Sequence, residues 1–428
     1  VFFVPFVDFC VLRALRGFLL SAPSAVKEKP EEAMRIQDVV ILSAVRTPIG
    51  AFGGALKDIP AARLGAIAAR AALERAGVPA DAVDEVIFGC ARQAGNGPNV
   101  ARQVAWHAGV PVDRPAFTVN KACASGLKAV TLGVQSILTG ENEAVLVGGV
   151  EQMSQIPYLL LKARWGYRLG EDTVVDAMYR DGYMCPLAEM LMGETAELLA
   201  DRYGITRAEQ DRFALESHQK AVAAWENGAL AGEVVPVEAP GPKGGTVLVE
   251  RDERPRADTS LEKLAKLPPA FRKDGTITAG NASGIADGAA ALVVASADWA
   301  RAHGLTPIAR FLGFASGAVH PREMGLGPVP ATRRLLERTG LSLDDFDLIE
   351  LNEAFAAQVL AVERELPWDP SRRNVHGGAV ALGHPTGCSG ARILVTLLNA
   401  LRVHGRTLGL ATLCVSGGLG MSVAVERM

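Results

Sequence analysis

Val119-Asn120-Lys121-Ala122-Cys123-Ala124-Ser125-Gly126 reads as the end of a strand, a tight turn of small residues, and the start of a helix with a cysteine in its first turn. Leu127, Val130, Val134 and Ile137 follow with helical spacing, and Gly140 ends the run. A thiol at a helix N-terminus faces unsatisfied amides and a partial positive charge, both of which favour the nucleophilic thiolate. A small buried core cysteine would give the same local pattern. The stretch alone leaves both readings open.

Outward from that turn, strands and helices alternate. On the N-terminal side the expected elements are strands at Gln37 to Ser43 and Val83 to Gly89, a helix from Ala61 to Ala76 closed by Gly77, and a helix within Asn96 to Ala108. Ala144 to Val150 is a further strand. From Asn281 the rhythm resumes, with strands at Gly288 to Ala295, Ile308 to Ala315 and Phe346 to Leu351, and helices at Val329 to Thr339, Glu353 to Leu360 and Ser389 to Leu401. Leu408 to Leu413 and Met421 to Val425 close the chain. Such alternation predicts an α/β protein with a mostly parallel sheet covered on both faces. The two parts echo one another: Glu85 to Gly89 answers Asp347 to Leu351, the Cys123 turn and helix answer those after Asn374, and Ala144 to Gly149 answers Leu408 to Cys414. Two copies of one unit joined edge to edge would bring equivalent turns to one cleft.

Between Glu151 and about Thr278 the rhythm stops. Thr206-Arg-Ala-Glu209 is a capping box that opens a helix ending near Gly228. The expected organisation is an N-terminal α/β half over 36–153 plus 281–304, an inserted domain over 154–280 that overlies a site, and a C-terminal half over 305–428. Residues 1–35 form an extension. Val1 to Leu20 is largely apolar but carries Asp8, Arg13 and Arg16, and it lacks the basic start of a signal peptide. Met34 precedes the first strand, so an over-extended start is the simplest account and a targeting leader the alternative.

With 428 residues the chain exceeds a single core. A net charge of -3 gives no basic field for nucleic acid. Six cysteines without a CxxC pair suggest neither a disulfide scaffold nor a zinc site, and read as reduced thiols in a cytosol-like compartment. Glycine-dense or polar turns stand out at Ala279 to Gly288, Asn352 to Ala356, Asn374 to Arg392 and Cys414 to Gly420.

Val45-Arg-Thr-Pro48, the Asn-Lys-x-Cys-x-Ser-Gly segment, Asn352-Glu-Ala-Phe-Ala356, Gly383-His-Pro-x-Gly387 and Cys414 in its glycine turn occur in one order. On these motifs, residues 36–428 resemble the thiolase family, and within it the acetyl-CoA acetyltransferases and 3-ketoacyl-CoA thiolases. The resemblance implies two similar βαβαβαββ halves in a five-layer αβαβα core, with the inserted loop domain covering coenzyme A. It implies Cys123 as the acylated nucleophile, His384 as its activator and Cys414 as the acid/base thiol. Asn352 would hold a water that forms one oxyanion hole with His384. The backbone N–H groups of Cys123 and Ser416 would form the other. Ser283 corresponds to the serine beside the pantetheine arm, while Met192, Leu191 and Phe355 are implied acyl or pantetheine contacts. Coenzyme A and acyl-CoA are implied as substrates, with no permanently bound cofactor or metal. A homodimer or homotetramer, cytoplasmic and without stable membrane association, is also implied. A related 3-ketoacyl synthase would pair one cysteine with two histidines, against which Cys414 argues; a silent CoA-binding member would lack reactive groups, whereas all four expected reactive side chains are present.

Departures from the family pattern sharpen the expectations. Ser416 stands where glycine is usual, which only suitable backbone angles permit. Leu191 replaces a usual histidine and suggests a more apolar acyl pocket. His376 replaces a usual asparagine and is expected just behind the site. Cys388 reads as helix packing, and Cys90 and Cys185 as core or pocket wall. Arg256 is a candidate contact for a CoA phosphate or a solvated surface residue.

Overall fold

The computed structural model describes residues 34–241 and 244–428, so the expected extension lies outside the described residues up to position 33. The N-terminal half runs β1 (Val39–Arg46), α1 (Ala61–Ala76), β2 (Glu85–Gly89), α2 (Val100–Ala108), β3 (Ala116–Val119), α3 (Ser125–Leu138) and β4 (Ala144–Gln152). The following stretch carries α4 (Met192–Tyr203) and α5 (Arg207–Glu226) among short hairpins, before β5 (Ala286–Ser296). The C-terminal half is β6 (Ala309–Ala318), α6 (Pro328–Thr339), β7 (Leu348–Leu351), α7 (Ala356–Glu365), α8 (Thr386–Val403), β8 (Leu408–Val415) and β9 (Leu419–Arg427).

Helix ends follow their local chemistry. Gly77 takes the left-handed conformation that ends α1. The side chain of Asn99 accepts from the Arg102 N–H to start α2, and Thr206 and Glu209 form the expected capping box of α5. The Asn352–Ala356 segment differs from its reading: α7 begins only at Ala356, because the N–H groups of residues 352 and 356 bond to the carbonyls of Thr412 and Asn281 instead of a helical turn.

Strand order is β7-β8-β9-β6-β1-β5-β4-β2-β3. Counted outward from the β1–β6 junction, β1 answers β6, β5 answers β9, β4 answers β8 and β2 answers β7. A bridge between Ile349 and Arg373 stands where β3 stands in the other half. The internal repeat is therefore present, joined through the antiparallel pairing of Val40 with Arg310 and Ile41 with Ala309. The expected mostly parallel sheet is not what forms. Parallel pairing is confined to β2 with β3 and β4, and β7 with β8, while the pairings from β4 through β5, β1, β6 and β9 to β8 are antiparallel. In the C-terminal half β9 follows β8 after a tight turn, and such a return can only pair antiparallel; β5 takes the matching antiparallel place beside β4 although α4 and α5 lie between them in the chain.

Three apolar clusters separate the layers. One packs α1 and α2 through Leu64, Ala68 and Val104 on Val86, Phe88 and Leu146. The middle one holds α3 and α8, with Leu127, Val130, Val134 and Ile137 meeting Ile393, Leu394 and Leu397 between Val147, Leu292, Phe311 and Val423. The third packs Leu335, Val359 and Val362 on Ile349, Leu351 and Leu410, and takes in Leu199 and Phe213 from α4 and α5. The layers thus read helix, sheet, helix, sheet, helix. Helix α8 is buried from Thr386 to Leu401 on every face, not on one side as its apolar spacing suggests. Arg46, in the Val-Arg-Thr-Pro motif, ties the stretch after α5 to this core. Its buried guanidinium bonds Glu233 (2.5 Å) and both oxygens of Asp252 (2.7 and 2.9 Å).

Candidate active site

The middle helices meet where neither can carry a side chain. A Cβ on Gly126 would stand 2.8 Å from the Ala391 nitrogen and 2.9 Å from the Gly387 oxygen. This backbone contact brings the turn before α3 against the turn before α8, and so Cys123 towards His384. Cys123 lies ahead of α3, which starts at Ser125, and not in its first turn as expected. Ala122 adopts a left-handed φ of 45°, held by its N–H to Asn120 Oδ1 (3.0 Å). Ser125 Oγ accepts from the Lys121 N–H (2.8 Å) and donates to the Ala122 carbonyl (2.6 Å). The turn presents a half-buried Cys123 to a cavity of about 80 Å³.

Cys123, His384, Cys414, Ser416, Ser283, Met192 and Phe355 all line this cavity. Burial pushes the Cys123 thiol up, so the helix-end argument for a ready thiolate does not hold by itself. Arg92 and the backbone N–H groups of Ser416 and Cys123, both directed at the sulfur, pull in the other direction. Ser416 is not among the positive-φ residues; Gly417 (φ 86°) and Gly418 (φ 84°) carry the left-handed turn, which is why a serine fits. Cys414, at the end of β8, is raised by burial and by the neighbouring Cys123.

His384 is fixed at both ends. Its backbone N–H bonds the Gly284 carbonyl (2.8 Å), and its Nδ1 lies 2.6 Å from Ser389 Oγ. The Ser389 hydroxyl is also 2.9 Å from the Pro385 carbonyl, which can only accept. Both contacts are satisfied when Ser389 donates to Pro385 and accepts from Nδ1–H. That tautomer leaves Nε2 unprotonated, and Nε2 is buried without a partner among the described residues. Burial, with Arg392 and Arg92, lowers the imidazole to about 3, so it is neutral near pH 7. Asn352 is buried at 0% exposure, and neither Oδ1 nor Nδ2 has a hydrogen-bond partner among the described residues.

Residues 39–298 match the family Thiolase, N-terminal domain, and residues 305–427 match Thiolase, C-terminal domain. The chain belongs to the thiolase family. Acetyl-CoA acetyltransferases of Pseudomonas aeruginosa and Escherichia coli are each 53% identical to this thiolase, over 92% of its length and 100% of theirs. The crystal structure of the Bacillus anthracis acetyl-CoA acetyltransferase matches it with a TM-score of 0.90 at 46% identity, covering 92% of this chain and 99% of that one. Human mitochondrial 3-ketoacyl-CoA thiolase matches with a TM-score of 0.88 at 44% identity, covering 91% and 99%.

Three side chains expected at or near the site of this thiolase lie off the cavity wall. Leu191 is half-buried beside the start of α4 and is not on the cavity wall; the next residue, Met192, is. His376 is not behind the site: its Nε2 faces His404 Nε2 at 3.2 Å, in a separate surface cleft with Lys220. Arg256 is exposed and off the cavity wall, with its backbone N–H on His218 Nδ1 (3.2 Å). Cys388 and Cys185 are core residues, and the buried Cys90 thiol contacts Glu151.

Several wall and support residues escaped the sequence reading. Arg92, Tyr183, Met324 and Thr386 line the cavity. Glu151, at the end of β4, accepts from the N–H groups of Ala91 (3.1 Å), Arg92 (2.9 Å) and Gly387 (2.8 Å) and from Thr386 Oγ1 (2.8 Å). It locks the loop after β2 to the His384 segment. The available signal was position: Arg92 and Glu151 both sit at the carboxyl ends of strands, where α/β sheets build their sites.

Proposed function

We propose that this thiolase transfers an acyl group between Cys123 and coenzyme A, cleaving a 3-ketoacyl-CoA to acetyl-CoA and a shortened acyl-CoA, or condensing two acetyl-CoA to acetoacetyl-CoA. The observation that carries this reading is one cavity holding two thiols, Cys123 and Cys414, together with His384. Cys123 Sγ attacks the ketone carbonyl while His384 Nε2 takes its proton. The bond between the ketone carbon and the neighbouring carbon breaks, leaving an acyl thioester on Cys123. Cys414 gives its proton to the departing acetyl-CoA carbanion. The thiolate of Cys414 then takes the proton of incoming coenzyme A, whose sulfur attacks the thioester and releases Cys123, and the proton held on His384 Nε2 returns to the Cys123 sulfur.

Two oxyanions need donors. The N–H groups of Cys123 and Ser416 suit one, and a water on Asn352 with the imidazole suits the other. Ser283, Met192 and Phe355 support the pantetheine and acyl contacts, and the 154–280 segment the cover over coenzyme A. Arg256, exposed to solvent, is the candidate contact for a CoA phosphate. A homodimer or homotetramer in the cytoplasm, free of nucleic acid and membrane, completes the reading. No helix among the described residues is long and apolar enough to cross a membrane.

A 3-ketoacyl synthase reading is disfavoured by a thiol at position 414. The test is thiolysis of acetoacetyl-CoA and of a longer 3-ketoacyl-CoA, followed by loss of substrate absorbance. Turnover with ping-pong kinetics is expected, and its abolition in Cys123→Ala. No turnover with either substrate would sink the function, and activity surviving Cys123→Ala would sink the nucleophile.

A further inference from the structure

The departure at Leu191 pointed to an apolar acyl pocket, yet the cavity wall carries a cation, Arg92. Its backbone is fixed to the nucleophile turn, since Asn120 Nδ2 donates to the Ala91 carbonyl (3.1 Å) and Glu151 holds the N–H groups of Ala91 and Arg92. Arg92 is only 7% exposed. The guanidinium lies flat against Gly182, where a Cβ would come within 2.4 Å of Nε and Nη2. Nε is buried without a partner, and Arg92 forms no ion pair among the described residues.

A buried guanidinium stays protonated and is costly unless an anion answers it. The side open to it is the cavity it shares with Cys123. We propose that Arg92 is the electrostatic support of the nucleophile, its guanidinium answering the Cys123 thiolate across the cavity. This rests on the reading of Cys123 as the nucleophile.

The other charged or titratable groups around the sulfur do not supply that role. Glu151 opposes the thiolate, but its carboxylate is occupied by the N–H groups of Ala91, Arg92 and Gly387, the Thr386 hydroxyl and the Cys90 thiol. Asp181 pairs outward with Arg180. Tyr183 and Cys414 are neutral groups raised by burial. Arg92 is the largest influence that offsets burial at Cys123, and it also lowers His384. It therefore stabilises the thiolate and keeps the imidazole unprotonated until the thiol gives up its proton. That proton passes to Nε2 and stays there as the sulfur attacks, with no change in the guanidinium. Once Cys123 is acylated the charge is gone, and Arg92 is free to face the acyl group.

The test is the pH dependence of Cys123 alkylation by iodoacetamide in the full chain, read on the Cys123 peptide by mass spectrometry. An opposite charge at close range shifts a pKa by about 1–3 units. Arg92→Met is therefore expected to move the alkylation midpoint up by about 1–3 pH units, a roughly tenfold to thousandfold loss of thiolate at a fixed pH below it. Arg92→Lys recovers part of the shift, while the buried Cys90 and Cys388 stay unreactive in all three proteins. Arg92→Gln carries the same comparison if Arg92→Met does not fold. Superimposable profiles in wild type and a folded neutral variant overturn the proposal. A variant that keeps the profile but loses KM only for acyl chains ending in a carboxylate also overturns it, and makes Arg92 an acyl receptor. Failure of the nucleophile assignment itself would show separately, as turnover surviving Cys123→Ala.

Discussion

Ser389→Ala tests the assignment of His384 as a neutral base with its proton on Nδ1. The hydroxyl is 2.6 Å from Nδ1 and 2.9 Å from the Pro385 carbonyl. Removing it leaves a buried Nδ1–H without an acceptor, a cost of about 1–3 kcal/mol to the folded state. The kinetic effect is smaller than deletion of the imidazole. A neutral hydrogen bond of about 0.5–1.5 kcal/mol is what favours the productive tautomer, so losing it lowers the productive fraction up to about tenfold. His384→Ala removes the base itself, and general base catalysis is worth about 10²–10⁴. Acylation of Cys123 should be followed in a single turnover with acetoacetyl-CoA, alongside thermal unfolding. The expected result for Ser389→Ala is a three- to tenfold slower acylation, an unchanged KM and a lower midpoint. An unchanged acylation rate, with His384→Ala strongly impaired, would refute the tautomer argument and leave Ser389 as packing.

Other perturbations test the frame that holds the site. Gly126→Ala puts a methyl 2.8 Å from the Ala391 nitrogen; overpacking of this kind costs about 1–3 kcal/mol, and because it parts α3 from α8, kcat should fall in a protein that still folds by circular dichroism. Arg46→Met strands Glu233 and Asp252 as buried uncompensated charges, so a loss of about 3–5 kcal/mol is expected in urea unfolding. Asp287, whose carboxyl is pushed up to about 6 by burial, binds a proton more readily folded than unfolded. Its contribution to stability is therefore full below about pH 4 and declines as pH rises to about 6, by roughly 3 kcal/mol. Asp287→Asn should flatten the stability profile across that window, measured by thermal midpoint against pH.

Elements with a local cause were readable in the sequence. Helix α1 matches its expected span because Ala61 to Ala76 carries the period and Gly77 the stop. The capping box of α5 is likewise where Thr206 and Glu209 put it. What failed depends on partners far along the chain. The antiparallel centre of the sheet is decided by where β5 and β9 return, which no local pattern encodes. Arg92 is 31 positions from Cys123, and only the contact of the loop after β2 with the nucleophile turn makes it part of the site. His376 erred the other way. It is eight positions from His384, but Gly377 and Gly383, both with positive φ, turn the chain between them, and its ring goes to His404 instead.

The site also shows why the glycine turns are so dense around it. Two sulfurs and an imidazole must share one cavity while each sits at the start or end of a different element. Gly126, Gly387 and Gly149 let backbone meet backbone there: a Cβ on Gly149 would fall 2.3 Å from the Gly387 oxygen. That oxygen and the Gly387 N–H, which Glu151 holds, fix both sides of the peptide that follows His384-Pro385-Thr386. The position of the imidazole is thus set by contacts with β4 and α3, elements of the opposite half. The candidate site is therefore a property of the pairing of the two halves, which meet through the β1–β6 junction.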